Sequence, residues 1–197
     1  GAVAAVACVS DDDALGREPL QRTRAAKRAV RSERPVLPRR RIYRRLQTNT
    51  RGVEQSRTPE DILAEIDDLG ARSYREVTLL GQNVDAYGRD MRPRRTFADL
   101  LSAVADMARK HNNMRVRFVT SHPRYITESV IDTVAHNSDV LMPVFHMPAQ
   151  SGDDEVLRLM GRGYDARRYL RVVRMIRDAM PDATVSGDFI VGCPGES

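Results

Sequence analysis

Residues 76–123 read EVTLLGQNVDAYGRDMRPRRTFADLLSAVADMARKHNNMRVRFVTSHP, and the order of patterns within them decides the fold class. EVTLLGQNV (76–84) is a short continuous apolar run closed by polar residues, the pattern of a parallel strand covered on both faces. Thr96-Phe97-Ala98-Asp99 then writes a helix start, with Leu100, Leu101, Val104 and Met107 on one stripe behind it. RVRFVTSHP (115–123) is a second apolar strand with a polar end. Strand, helix, strand in this order predicts a right-handed βαβ unit.

The same alternation continues in both directions. Upstream, Thr58-Pro59-Glu60-Asp61 is an N-cap with proline at the first helical position, followed by Ile62, Leu63, Ile66 and Leu69, so a helix is predicted to end between Gly70 and Ser73. Downstream, Thr127 opens a helix with Val130, Ile131 and Val134, and VLMPVFHMPAQ (140–150) is a third strand interrupted by Pro143. Ser151-Gly152-Asp153-Asp154 caps a short helix that GRGY breaks. Asp165 opens a longer one carrying Tyr169, Leu170, Val172, Val173 and Ile176, and TVSGDFIVGCPGE (184–196) closes as a fourth strand. The class is α/β with a parallel sheet; periodicity leaves open whether that sheet is a barrel or an open one.

Length and charge bound what the chain can be. Its 197 residues suit one domain or part of a larger one. No apolar run approaches the ~20 residues that span a bilayer, so a soluble chain without a membrane partner is expected. GAVAAVACVS lacks the basic leader of a secretory signal, and both ends read as cut. A net charge of +5 permits an anionic partner such as RNA, although arginine enrichment is mostly a solvated surface. Two cysteines, Cys8 and Cys193, give neither a disulfide framework nor metal-ligand spacing.

The texture changes near residue 50. Residues 14–50 hold twelve Lys or Arg against two acids, with few large apolar side chains, which is too little burial to offset ordering entropy. Residues 1–49 are therefore expected to be disordered or loosely helical, and residues 50–197 to form the folded core domain.

Each predicted strand ends in polar or Gly/Pro residues, and in parallel α/β folds such ends gather on one face, where sites are built. Gln82 and Asn83 offer amide groups to an amino-acid or base edge, or simply satisfy the strand terminus. Ser121 and His122 could supply a base or ligand; a lone His at a strand end is more often a hydrogen-bonded structural residue. Gln150 and Ser151 lie where a strand meets a helix start, a geometry that favours a carboxylate or phosphate, or is a cap alone. Asp188, an acid in the apolar run GDFIVG, needs a partner: it is either buried against an Arg or lines a barrel interior. Gly192-Cys193-Pro194-Gly195-Glu196 is a tight turn where backbone can approach a flat ligand, with Glu196 available to a ribose hydroxyl or amine.

TRGVEQSR, EVTLLGQNVDAYGRD, FADLL, RVRFVTSHPRY, HMPAQSGDDEVLRLMGRGY and DFIVGCPGES, in this order, resemble the radical S-adenosylmethionine (SAM) methylthiotransferases over about three-quarters of the chain. The likeness is strongest to the tRNA branch, which adds a methylthio group to C2 of N6-isopentenyladenosine beside the anticodon. The resemblance implies an incomplete parallel (β/α) barrel, SAM and [4Fe–4S] clusters as cofactors, tRNA as partner, an electron donor, and a cytoplasmic, mitochondrial or plastid setting. In that family the cluster cleaves SAM to a deoxyadenosyl radical, and a second cluster supplies sulfur. By position, Gln82 and Asn83 would lie near the methionine end of SAM. Gln150, Ser151 and Arg162 would meet its ribose or carboxylate, residues 188–196 would flank its adenosine, and Ser121 and His122 would belong to the same site.

One part of the family pattern is missing. Its cluster ligands follow C-x3-C-x2-C just before TRG, and counting back from Arg51 lands on Pro38, Ile42 and Arg45, none of which binds iron. Either residues 1–49 are a wrongly joined segment, which their Arg/Pro/Ala-rich texture favours, or the chain is a cluster-free remnant. The chain as written is expected to be inactive in radical chemistry. The rival reading is a non-catalytic tRNA-binding module that uses the basic segment.

Overall fold

The computed structural model describes residues 3–7, 9–11, 54–81 and 83–193, with side chains from Gln55 onward. In chain order the elements are β1 (Val3–Ala7), β2 (Val9–Asp11), β3 (Glu54–Ser56), α1 (Pro59–Ala71), β4 (Glu76–Leu80), α2 (Phe97–Lys110), β5 (Arg115–Val119), α3 (Glu128–His136), β6 (Val144–His146), α4 (Asp154–Leu159), α5 (Ala166–Ala179) and β7 (Thr184–Ser186). A single 3₁₀ turn, Val84–Ala86, follows β4.

The sheet is parallel and follows the barrel order. β1 pairs with β4 and β4 with β5 in one ladder, while β6 pairs with β7 in another. The two are joined at Val116, whose N–H donates to Val140 O (2.8 Å) and whose carbonyl accepts from Met142 N–H (2.9 Å). At the other end of β5, Ser121 N–H donates to His146 O (2.9 Å). The strands therefore run β1-β4-β5-β6-β7, as a partial parallel (β/α) barrel. β2 and β3 form a separate antiparallel pair.

Helix starts lie where the cap residues demand. Thr58 Oγ1 accepts from Asp61 N–H (3.2 Å), and Asp165 Oδ1 accepts from Arg168 N–H (2.7 Å). Thr96 and Asp99 form a reciprocal capping box, each side chain accepting the other's backbone N–H (3.1 and 2.9 Å). Ile62, Ile66 and Leu69 of α1, Leu100, Leu101 and Val104 of α2, Val130, Ile131 and Val134 of α3, and Val172 and Ile176 of α5 are all buried. Phe97, Phe118 and Phe145 link α2, β5 and β6 edge to face, with ring centroids 5.5 Å apart at each step.

Four expectations need correction. Val3–Ala7 and Val9–Asp11 are strands, so the first residues of the 1–49 segment have fixed structure; VAAVA is an apolar run able to pair beside β4, whose other edge is already taken by β5. The remainder of 1–49 lies outside the described residues. The predicted strands are longer than the observed ones, because their polar ends leave the ladder to form turns. Asp153, rather than Ser151, caps α4. Leu170 is exposed, since Tyr169, Val172, Val173 and Ile176 define the inner face of α5 and residue 170 points about 100° away from it. Among the described residues no helix is long and apolar enough to cross a membrane.

The aromatic row is the centre of this core. Phe118→Ala should destabilise the protein by about 3–5 kcal/mol, measured as a lower urea midpoint at unchanged m-value.

Candidate functional site

β4 and β5 continue to hydrogen-bond after they stop being strands. Gly81 N–H donates to Val119 O, Thr120 N–H to Gly81 O and Val84 N–H to Thr120 O, at 3.0–3.1 Å. These bonds fold the polar end of β4 over the end of β5. They place Asp85 in the 3₁₀ turn against Ser121 and His122. His122 N–H donates to Asp85 Oδ2 (2.8 Å), and the Ser121 hydroxyl donates to Asp85 Oδ1 (3.3 Å). Burial of Asp85 disfavours its charge more than these donors restore it, and its carboxyl is pushed up to about 7.

His122 sits on the open side of this joint. Burial, then the nearby Arg162 and Arg124, lower its pKa to about 4, so the ring is neutral at pH 7. Its Nδ1 accepts from Arg124 N–H (3.1 Å), which leaves Nε2 as the proton-bearing donor. The ring meets Tyr125 and Tyr164 at centroid distances of 5.3 and 5.2 Å. Tyr164 in turn donates its hydroxyl to Ala149 O (2.9 Å) and Pro148 O (3.2 Å), tying the GRGY turn to the end of β6. Arg168 of α5 donates to Pro123 O and Ile126 O (3.2 and 3.0 Å), holding the loop that carries His122 from behind.

Of the residues singled out by sequence, Asn83, Ser121, His122, Gln150 and Ser151 follow the C-terminal ends of β4, β5 and β6, and Arg162 lies in the turn after α4. His122 and Arg162 are neighbours, the guanidinium lying 5.9 Å from the Tyr164 ring centroid. Asn83 is half-buried, and its carbonyl accepts from Ala86 N–H (2.9 Å). Gln150 has φ of +69°, a left-handed conformation that a non-glycine residue holds at a cost. It is held there by two backbone bonds, Gln150 N–H to Asp188 O (2.9 Å) and Ile190 N–H to Gln150 O (2.8 Å). Gln82 and Glu196 lie outside the described residues.

Two site expectations change. Asp188 is exposed and pairs with His146 (Nε2 to Oδ2, 3.5 Å), which removes the first of its two alternatives, burial against an arginine, and leaves the barrel-lining one standing. The start of α4 is poorly suited to an anion: Asp153 takes Val156 N–H (2.8 Å), Ser151 Oγ takes Asp153 N–H (3.1 Å), and Asp154 and Glu155 put negative charge in the first turn. Asp85 was not singled out by sequence. The signal was the acid two residues beyond GQN, in a segment otherwise read as a strand end.

The Asp85 joint has a pH signature. An acid whose folded pKa is raised stabilises the fold below its unfolded pKa, and that contribution is lost as pH rises through the folded value of about 7. Asp85→Asn keeps an acceptor for His122 N–H and cannot ionise. Its stability relative to the parent should therefore climb by up to about 1.4 kcal/mol per pH unit between pH 4 and 7 and stay level above. A pH-independent difference in urea-derived stability would show that Asp85 does not titrate at this joint.

Residues 35–197 match the family model described as Radical SAM superfamily. Among solved structures, the cobalamin-dependent S-adenosylmethionine radical enzyme OxsB with aqua-cobalamin bound aligns at TM-score 0.55 and 11% identity, over 71% of this chain and 20% of that one. The radical S-adenosylmethionine methyltransferase TsrM from Kitasatospora setae, with cobalamin and a [4Fe–4S] cluster bound, aligns at TM-score 0.53 and 14% identity, over 70% of this chain and 26% of that one. At such identities the likeness is one of fold, and the chain spans a minor part of either enzyme. SAM and a [4Fe–4S] cluster are the superfamily's cofactors. The donor set for a cluster on three cysteines is not present, because the chain has two cysteines, and among the described residues no group of three His, Cys, Asp or Glu could hold a metal. Fold and family match agree that this chain belongs to the radical SAM superfamily of enzymes, with the barrel retained and the cysteine triad missing.

Proposed function

We propose that this chain carries the barrel of a tRNA methylthiotransferase and, as written, cannot run that family's radical chemistry. The observation that carries the reading is the joint occurrence of Asn83, Ser121-His122-Pro123 and Gln150-Ser151 after three adjacent parallel strands, with Arg162 brought beside His122 from the turn after α4. Fold likeness does not separate this family from other radical SAM enzymes, so support for the tRNA branch comes from those motifs and their order.

In this reading the site binds SAM without a metal. Gln82 and Asn83 are assigned to its methionine end, Gln150, Ser151 and Arg162 to its ribose or carboxylate, and residues 188–196 to its adenosine. The Gln150 backbone, pinned to Asp188 and Ile190, supports placing those two segments around one ligand. The partner is tRNA, and the setting is cytoplasmic, with an organelle as the alternative. The non-catalytic tRNA-binding module remains the second reading, favoured by the shortage of cysteines.

Anaerobic reconstitution with iron, sulfide and reductant should leave the protein without a cysteine-ligated cluster and without release of 5′-deoxyadenosine from SAM. Stoichiometric cluster incorporation, seen by electron paramagnetic resonance, would sink the reading. The metal-free chain should still bind SAM weakly in equilibrium dialysis, and Arg162→Gln should reduce that binding about tenfold or more, as expected for a charged hydrogen bond. The tRNA assignment predicts tighter binding of an isopentenylated anticodon stem-loop than of its unmodified counterpart; equal affinities would remove it.

A further inference from the structure

Beside the strand ends lies a row of rings with arginines along it. Tyr125, His122 and Tyr164 follow one another at centroid spacings of 5.3 and 5.2 Å. Arg89 lies over the Tyr125 ring at 4.7 Å, and Arg124 lies 5.7 Å from the same centroid. Arg162 closes the other end over Tyr164 at 5.9 Å. Contacts of this kind hold a guanidinium by cation–π attraction and leave its N–H groups pointing outward.

Among the described residues these arginines combine a ring beside them with no carboxylate partner; Arg171 and Arg174 also lack a carboxylate, but no ring contact holds them. Arg57, Arg72 and Arg109 are paired with Glu65, Asp68 and Asp139, whereas among the described residues Arg89, Arg124 and Arg162 have no carboxylate partner. Arg162 Nε is a buried side-chain donor with no acceptor, which is costly unless a ligand supplies one. Asp85 is turned inward onto the backbone of His122. His122 presents a donor, because its Nδ1 is already taken by Arg124 N–H.

Phosphate oxygens satisfy guanidinium forks, and tyrosine and imidazole faces accept unstacked bases. We propose that Arg89, Arg124 and the faces of Tyr125 and His122 form a docking surface for a single-stranded RNA segment, with the arginines on its phosphates and Tyr125 under a base. Arg162 stands at the inner end of this row, where strand and cofactor site meet. The inference names the RNA-binding surface of the site proposed above, and rests on that reading for the choice of RNA as the polyanion.

The test uses the full chain, without SAM or iron, and a fluorescently labelled, unmodified single-stranded oligoribonucleotide titrated over a range of salt. Arg89→Gln/Arg124→Gln should weaken binding and make the slope of log K against log salt shallower by about 1.4, at about 0.7 for each phosphate no longer neutralised. Tyr125→Ala should weaken binding about tenfold or more at unchanged slope, while Tyr125→Phe, which keeps the ring, should bind as the parent does. Arg171→Gln/Arg174→Gln removes the same charge from exposed positions of α5 and should leave affinity and slope unchanged. Equal losses from both arginine pairs would overturn the proposal in favour of unspecific charge, as would a duplex that binds as tightly as the single strand. No effect of Tyr125→Ala would remove the base contact. Because the probe carries no isopentenyl group, failure here leaves the stem-loop preference untouched, and loss of that preference leaves this surface standing.

Discussion

The carboxyl group of Asp85 occupies the place where two parallel strands run out, and the shape of the candidate site depends on how it is satisfied. β4 and β5 deliver their last residues side by side, and beyond the ladder the chain must turn without leaving buried N–H groups unpaired. Asp85 meets that requirement by accepting from the backbone of His122 and the hydroxyl of Ser121. Once this loop is fixed, the His122 ring has a fixed position, and Tyr125 and Tyr164 arrange themselves against it. Arg168 then ties α5 to the same loop through two backbone carbonyls, so a surface helix and the strand ends share one anchor. A carboxyl that ionises only near neutrality suits this place, because among the described residues no cation pairs with it to offset the desolvation of a full charge.

The barrel keeps its architecture without the ligands that give its family its chemistry. Its stability resides in the aromatic row of Phe97, Phe118 and Phe145, in the aliphatic stripes of the helices, and in the parallel ladders, none of which involves a cysteine. A metal site that contributed folding energy outright would have taken the fold with it when lost. Here the positions of the missing ligands, Pro38, Ile42 and Arg45, fall between β2 and β3, in the segment that precedes the first helix of the barrel. Fold and chemistry have come apart at that seam.

Local rules made most of the architecture legible. Thr58, Thr96, Thr127 and Asp165 each announced a helix, because a cap needs only a side-chain oxygen and an amide two or three residues away. The site was legible as a face, since polar strand ends in a parallel sheet must converge. It was less legible as a set of contacts. Asp85 escaped notice because its partners lie 36 and 37 residues away. Burial of Asp188 against an arginine was one of two alternatives its apolar neighbours suggested, and it falls because Phe189, Ile190 and Val191 are themselves exposed. At Ser151 the acid two residues on proved the better cap, leaving the serine to brace it.

The sequence by itself determined the alternation of strands and helices, the starts of the helices, the face on which a site could form, and the shortage of cysteines for a cluster. All of these are set by neighbours along the chain or by a simple count of residue types. Tertiary structure alone decided that Val3–Ala7 joins β4, that His122 is neutral with Nε2 as its donor, and that Arg89, Arg124 and Arg162 stand along one row of rings. Those outcomes depend on burial and on groups distant in sequence, and their energies do not exist until the strands are side by side.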